Sequence, residues 1–115
     1  MAETKRRKKD RTVIFEVKTQ TPLSVGEQVF VTGNLQALGN WRPDGFPLTR
    51  MGENAWSGAA ILPNQEVVEY KITRGSWDTE EVLESGYAPE NSVLKAGGDT
   101  TVRKTVVSWL DKVRR

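Results

Sequence analysis

Apolar residues in this chain recur at every second position in short runs, and turn residues stop each run before it can lengthen into a helix-length segment. The first run is TVIFEVKT at 12–19, where Val13, Phe15 and Val17 alternate with Ile14, Glu16 and Lys18. QVFVTG (28–33), FPLTR (46–50), AWSGAAIL (55–62), EVVEYKIT (66–73), SVLKA (92–96) and TTVRKTVVSW (100–109) follow. Between them lie Pro22, Gly26, Gly39-Asn40, Pro43-Asp44-Gly45, Gly52-Glu53-Asn54, Pro63-Asn64 and Gly97-Gly98-Asp99. Alternation at period two is the pattern of a strand with one buried face, and Gly, Pro, Asn and Asp supply the backbone angles of tight turns. Strands of this length with no amphipathic helix bury their apolar faces by packing two sheets together, which predicts an antiparallel β-sandwich. The pattern leaves room for a short C-terminal helix through Trp109–Val113.

A chain of 115 residues is long enough for one modest core and too short for two. It contains no cysteine and no histidine. Disulfides, thiol catalysis, imidazole acid–base chemistry and the usual zinc sites are thereby removed, so neither metal nor cofactor is expected. Paired carboxylates could serve a glycosidase only inside a deep cleft, for which so small a sandwich has little room. The expectation is a protein that binds and does not catalyse, working as a monomer.

Charge divides the chain unevenly. Six basic residues between Lys5 and Arg11, against Glu3 and Asp10, give the first eleven residues a net +4, which leaves −2 for the remainder of a chain whose total is +2. This sets out a basic, disordered arm at 1–11, a folded unit at 12–110 and a basic tail at 111–115. No apolar stretch follows the arm, so it does not read as a secretory leader, and no run is long enough to span a membrane. The expectation is a cytoplasmic chain or an excised domain of a larger protein.

The most informative stretch is EYKITRGSW, 69–77. Val68, Tyr70 and Ile72 share one strand face, so Val67, Glu69, Lys71 and Thr73 share the other. Trp77 follows Arg74-Gly75-Ser76 and precedes Asp78, Glu80 and Glu81, a polar setting for an indole. Two readings stay open on pattern alone: a cation and an aromatic plane forming a binding surface, or a snorkelling lysine beside a half-buried ring. The irregular segment at 76–91 is long for a compact domain, and such loops carry function more often than not.

The order VFVTGNLQALGNW (29–41), Trp56, EYKITRGSW (69–77), PENSVL (89–94) and TVVSW (105–109) resembles starch- and glycogen-binding domains, carbohydrate-binding module families 20 and 48. The latter includes the glycogen-binding domain of the AMP-activated protein kinase β subunit. Segments like YKITRGSW occur in such modules N-terminal to some bacterial hydrolases. The resemblance covers about residues 12–109 and implies an all-β, antiparallel, immunoglobulin-like sandwich of about seven strands. It also implies α-glucan or maltooligosaccharide as ligand, with an attached or partner hydrolase domain.

Residue by residue, the resemblance makes Trp41 and Trp77 stacking platforms for consecutive glucose rings, and Lys71 and Asn91 hydrogen-bonding groups for the hydroxyls. It makes Trp56 and Trp109 core residues, and Tyr87 a possible additional contact. Those families usually read Asn-Arg where this chain has Asn91-Ser92. Their second site, where present, uses tyrosines in the early loops; none stands between residues 18 and 55, so a single site is expected. Two rivals remain: an immunoglobulin-like protein-interaction module that has lost sugar binding, and nucleic-acid binding through the basic arm.

Overall fold

The computed structural model describes residues 8–113, and its core is organised on one long strand. In β1 (Asp10–Thr19) every second residue from Arg11 to Thr19 is buried. It pairs antiparallel with β5 (Ala55–Pro63) and parallel with β9 (Thr100–Val106), while β4 (Thr49–Arg50) extends the far side of β5. The second sheet centres on β6 (Val68–Thr73). It is flanked by β2 (Phe30–Gly33) and β8 (Ser92–Leu94), with β3 (Phe46–Pro47) outside β2. A two-stranded ribbon of β7 (Glu81–Val82) and β10 (Ser108–Trp109) closes one end, followed by the single turn α1 (Leu110–Val113).

The sandwich is as expected, and its details differ for physical reasons. FPLTR divides at buried Leu48, so that β3 joins one sheet and β4 the other; a bend lets one short run serve both layers. TTVRKTVVSW divides likewise at Val107. Strand β7 lies inside the segment read as an irregular loop, because its partner β10 is distant in sequence and two residues make no periodic signal. The β1–β9 pair is parallel, so the sandwich is not purely antiparallel.

At the N-terminus, β1 takes in Asp10 and Arg11, which composition assigns to the arm. Arg11 is buried at 2% exposure, its guanidinium donating to the carbonyls of Gly98 and Glu66 at 3.4 and 3.5 Å. At the other end, Asp111–Val113 belong to α1, not to a tail. Residues 1–7, with Lys5, Arg6 and Arg7, and residues 114–115 lie outside the described part.

Aromatic rings bridge the two sheets. Phe15 on β1 meets Tyr70 on β6 edge-on at 5.4 Å and Phe46 on β3 at 6.4 Å, a favoured arrangement for ring quadrupoles. Trp56 and Trp109 belong to the same core, 2% and 4% exposed, as the resemblance implies. Each carries an arginine over its ring, Arg50 at 5.2 Å and Arg74 at 5.3 Å. Arg74 also pairs with Glu27 at 3.0 Å and with Asp111, which ties the end of β6 to an early loop and to α1.

Candidate functional site

Strand β6 assembles the site through its own register. Its core-facing residues Val68, Tyr70 and Ile72 are buried, so Lys71 faces outward, as alternation requires. Thr73 breaks the alternation: it is fully buried, because its hydroxyl donates to the Pro43 carbonyl at 2.6 Å and so draws the 43–45 loop over it. On one side Tyr70 pairs with Ser92, which brings the preceding Asn91 alongside. Beyond the strand, Gly75 turns the chain at φ 119° and a short 3-10 turn over Trp77–Thr79 follows. Ser76 and Thr79 cap that turn reciprocally, satisfying backbone donors that a three-residue turn leaves exposed. A single bridge between Thr73 and Glu80 then returns the chain to the strand.

Trp41 arrives from the other side, on the loop that leaves β2. Gly33 pairs with Tyr70, and any Cβ on Gly33 would strike the Glu69 carbonyl. After a 3-10 turn at Gln36–Leu38, three successive residues are left-handed: Gly39 at φ 87°, Asn40 at 51° and Trp41 at 70°. Asparagine tolerates that region, whereas a tryptophan there is strained, a cost of about 1–3 kcal/mol. The conformation is held by a 2.7 Å hydrogen bond from the Trp41 N–H to the Gly33 carbonyl. Close backbone approach of Gly39 to Gly45 shuts the loop behind it, leaving no room for a Cβ at either position.

These elements converge on one open concavity of about 330 Å³, lined by Trp41, Lys71, Trp77, Glu80 and Asn91. Trp77 is 40% exposed, and Trp41 is half-buried. The Lys71 ammonium donates to the Pro89 carbonyl at 2.7 Å and lies 3.7 Å from the Glu80 carboxylate. An ammonium carries three N–H donors, so this arrangement fixes its direction and still leaves donor capacity toward the groove. The Asn91 side-chain amide donates to Glu69 at 3.1 Å, which orients it. All four residues named by the resemblance are therefore together. Tyr87 is not: it is 77% exposed on the 83–87 turn, where its carbonyl accepts from the Leu83 N–H.

Glu80 is the lining residue that sequence reasoning missed. The chain presents Glu80, Glu81, Glu84 and Glu90 as like acids of one segment, and only the bridge to Thr73 sends the first into the groove and the second into the core. Glu81 is 6% exposed. Burial pushes its carboxyl above the usual range, against the pull of Lys104 and Lys71, and neighbouring Glu80 adds to the rise. Tyr70 is raised chiefly by burial as well, partly countered by its hydrogen bond to Ser92. Ser92, standing where the resemblance expects arginine, is thus engaged with Tyr70, and it accepts from the Lys104 ammonium at 3.0 Å. No cluster of three or more metal-ligating side chains occurs among the described residues.

Comparison with known proteins assigns the chain. The family model described as "Starch binding domain" (CBM_20) matches residues 11–105. The chain belongs to the starch-binding domain family. Among its relatives is an α-amylase of Niallia circulans, 36% identical over 101 residues, covering 87% of this chain and 8% of the amylase. Among solved structures, a glycoside hydrolase family 15 glucoamylase from Hypocrea jecorina superposes with a TM-score of 0.70 at 24% identity, over 87% of this chain and 18% of that one. The family 20 module of a maltotetraose-forming amylase from Pseudomonas saccharophila STB07 gives 0.60 at 22% identity, over 82% of this chain and 98% of that one. This starch-binding domain is a non-catalytic binding module, and it spans a small fraction of the amylase relative's length.

Proposed function

We propose that this domain holds α-1,4-glucan by stacking consecutive glucosyl rings on Trp41 and Trp77, with Lys71 and Asn91 hydrogen-bonding the hydroxyls. The observation that carries the reading is the meeting of two accessible indoles, an oriented ammonium and an oriented amide in one concavity. A glucose ring offers a face of C–H bonds that packs on an indole and a rim of hydroxyls that needs polar partners. Burying about 100 Å² per platform is worth about 2–3 kcal/mol. A few hydrogen bonds add about 1 kcal/mol each, and association costs at least about 4 kcal/mol. The balance gives a Kd between about 10 μM and 1 mM. Two platforms brought in on separate loops suit a curved α-1,4 chain better than a straight β-1,4 one.

The relative's length and name support a role as an appendage that keeps a hydrolase near polysaccharide by raising effective concentration. The test follows the indole N–H signals of the four tryptophans by NMR during titration with maltoheptaose, β-cyclodextrin and, as control, cellohexaose. Saturable shifts of two indoles with the α-glucans alone, each lost in Trp41→Ala or Trp77→Ala, are expected. Silence of all four with every sugar overturns the reading in favour of a protein-interaction module.

A further inference from the structure

Glu80 places a carboxylate on the wall of the groove, beside the one ammonium that lines it. Both side chains are mostly buried, at 17% and 19% exposure, so their charges are less screened than those of surface residues. A carboxylate of this kind accepts from two neighbouring hydroxyls at once and donates to none. The ammonium does the reverse. Side by side, they match the alternating donor and acceptor character of a sugar's vicinal hydroxyls.

The pair also sets the charge of the groove. Lys71 alone would attract an anionic sugar, but Glu80 offsets it, and Glu69 adds a further negative charge behind Asn91. Glu81 lies beneath this layer facing Lys71, Lys104 and Glu80. An anion bound on the indoles would meet Glu80 at short range in a partly dehydrated setting, where like charges cost affinity steeply. A neutral ring meets only a well-matched acceptor.

We propose that Glu80 is a specificity-determining residue that accepts sugar hydroxyls and restricts the groove to uncharged stretches of glucan. This rests on the glucan reading of the groove. The probes are maltoheptaose, its C6-oxidised form carrying a carboxylate on its rings, and the methyl ester of that form, which keeps the bulk and removes the charge. Affinities are measured by the indole titration on the wild-type domain and on Glu80→Gln.

In low salt the wild-type domain binds the acid about tenfold or more weakly than the ester, and because the groove is open to solvent while Glu80 is mostly buried, 0.5 M salt narrows that gap only in part. In Glu80→Gln the gap closes or reverses, because Lys71 is no longer opposed. The salt arm needs no variant, so it stands even if the substitution disturbs the fold. Equal binding of acid and ester by the wild type overturns the proposal, as does an ester excluded as strongly as the acid, or a gap that survives unchanged in Glu80→Gln. Failure of maltoheptaose itself to shift the Trp41 and Trp77 indoles overturns the glucan reading instead, and the proposal with it.

Discussion

Replacing Trp77 with alanine tests the proposed stacking platform separately from folding. The ring is 40% exposed, which on an indole side chain of about 250 Å² leaves about 100 Å² free to cover a sugar. Removing that contact at about 25 cal/mol/Å² costs about 2.5 kcal/mol of binding, close to 70-fold in Kd. Because a sugar covers one face only, a loss of about 10- to 70-fold is expected for maltoheptaose. Trp77 lies outside the buried core cluster, so stability should fall by about 1 kcal/mol or less. The mirror experiment is Trp56→Ala: that ring is 2% exposed within the core, and its loss costs about 3–5 kcal/mol of stability. Isothermal titration calorimetry gives the affinities and urea unfolding the stabilities. If Trp77→Ala keeps maltoheptaose affinity within threefold of wild type, the platform argument is refuted.

Further expectations follow from other positions. Gly39→Ala, at φ 87° with Gly45 packed where its Cβ would go, should lower stability by about 2–4 kcal/mol and weaken sugar binding by displacing Trp41, both read by urea titration and calorimetry. Tyr87→Ala should leave maltoheptaose affinity within about twofold, since an exposed side chain away from the groove contributes little; a tenfold loss would bring Tyr87 back into the site. Glu81 has a raised carboxyl, so between the ordinary value of 4.5 and its own raised value the folded chain binds more protons than the unfolded one, and stability falls as pH rises through that window. Glu81→Gln should therefore flatten the pH dependence and raise the thermal midpoint at pH 8 relative to wild type, with little difference near pH 4. An unchanged slope would place the buried charge elsewhere.

How far the sequence reaches is clearest in β6 and the segment that follows it. The alternation of Val68, Tyr70 and Ile72 is local, since a strand turns successive side chains to opposite faces whatever surrounds it, and so the outward direction of Lys71 is legible from the residues alone. The same holds for the turns at Gly39-Asn40 and Gly75, whose backbone angles few residues accept, and for the polar setting that leaves Trp77 outside the core. Thr73 has the same parity as Lys71 and is nevertheless buried, because a loop thirty residues earlier folds over it. Glu80 and Glu81 are chemically identical neighbours. One enters the groove and the other the core, because a bridge to Thr73 and a ribbon partner at Trp109 set their directions. Local sequence determined the longer strands, the turns and the polar setting of Trp77, since those follow from sterics within a few bonds, whereas the two-residue strand β7 depends on a distant partner. Only the tertiary structure decided how charge is arranged around the groove lined by Trp41 and Trp77, because that depends on which distant backbones pair and which faces they leave to water.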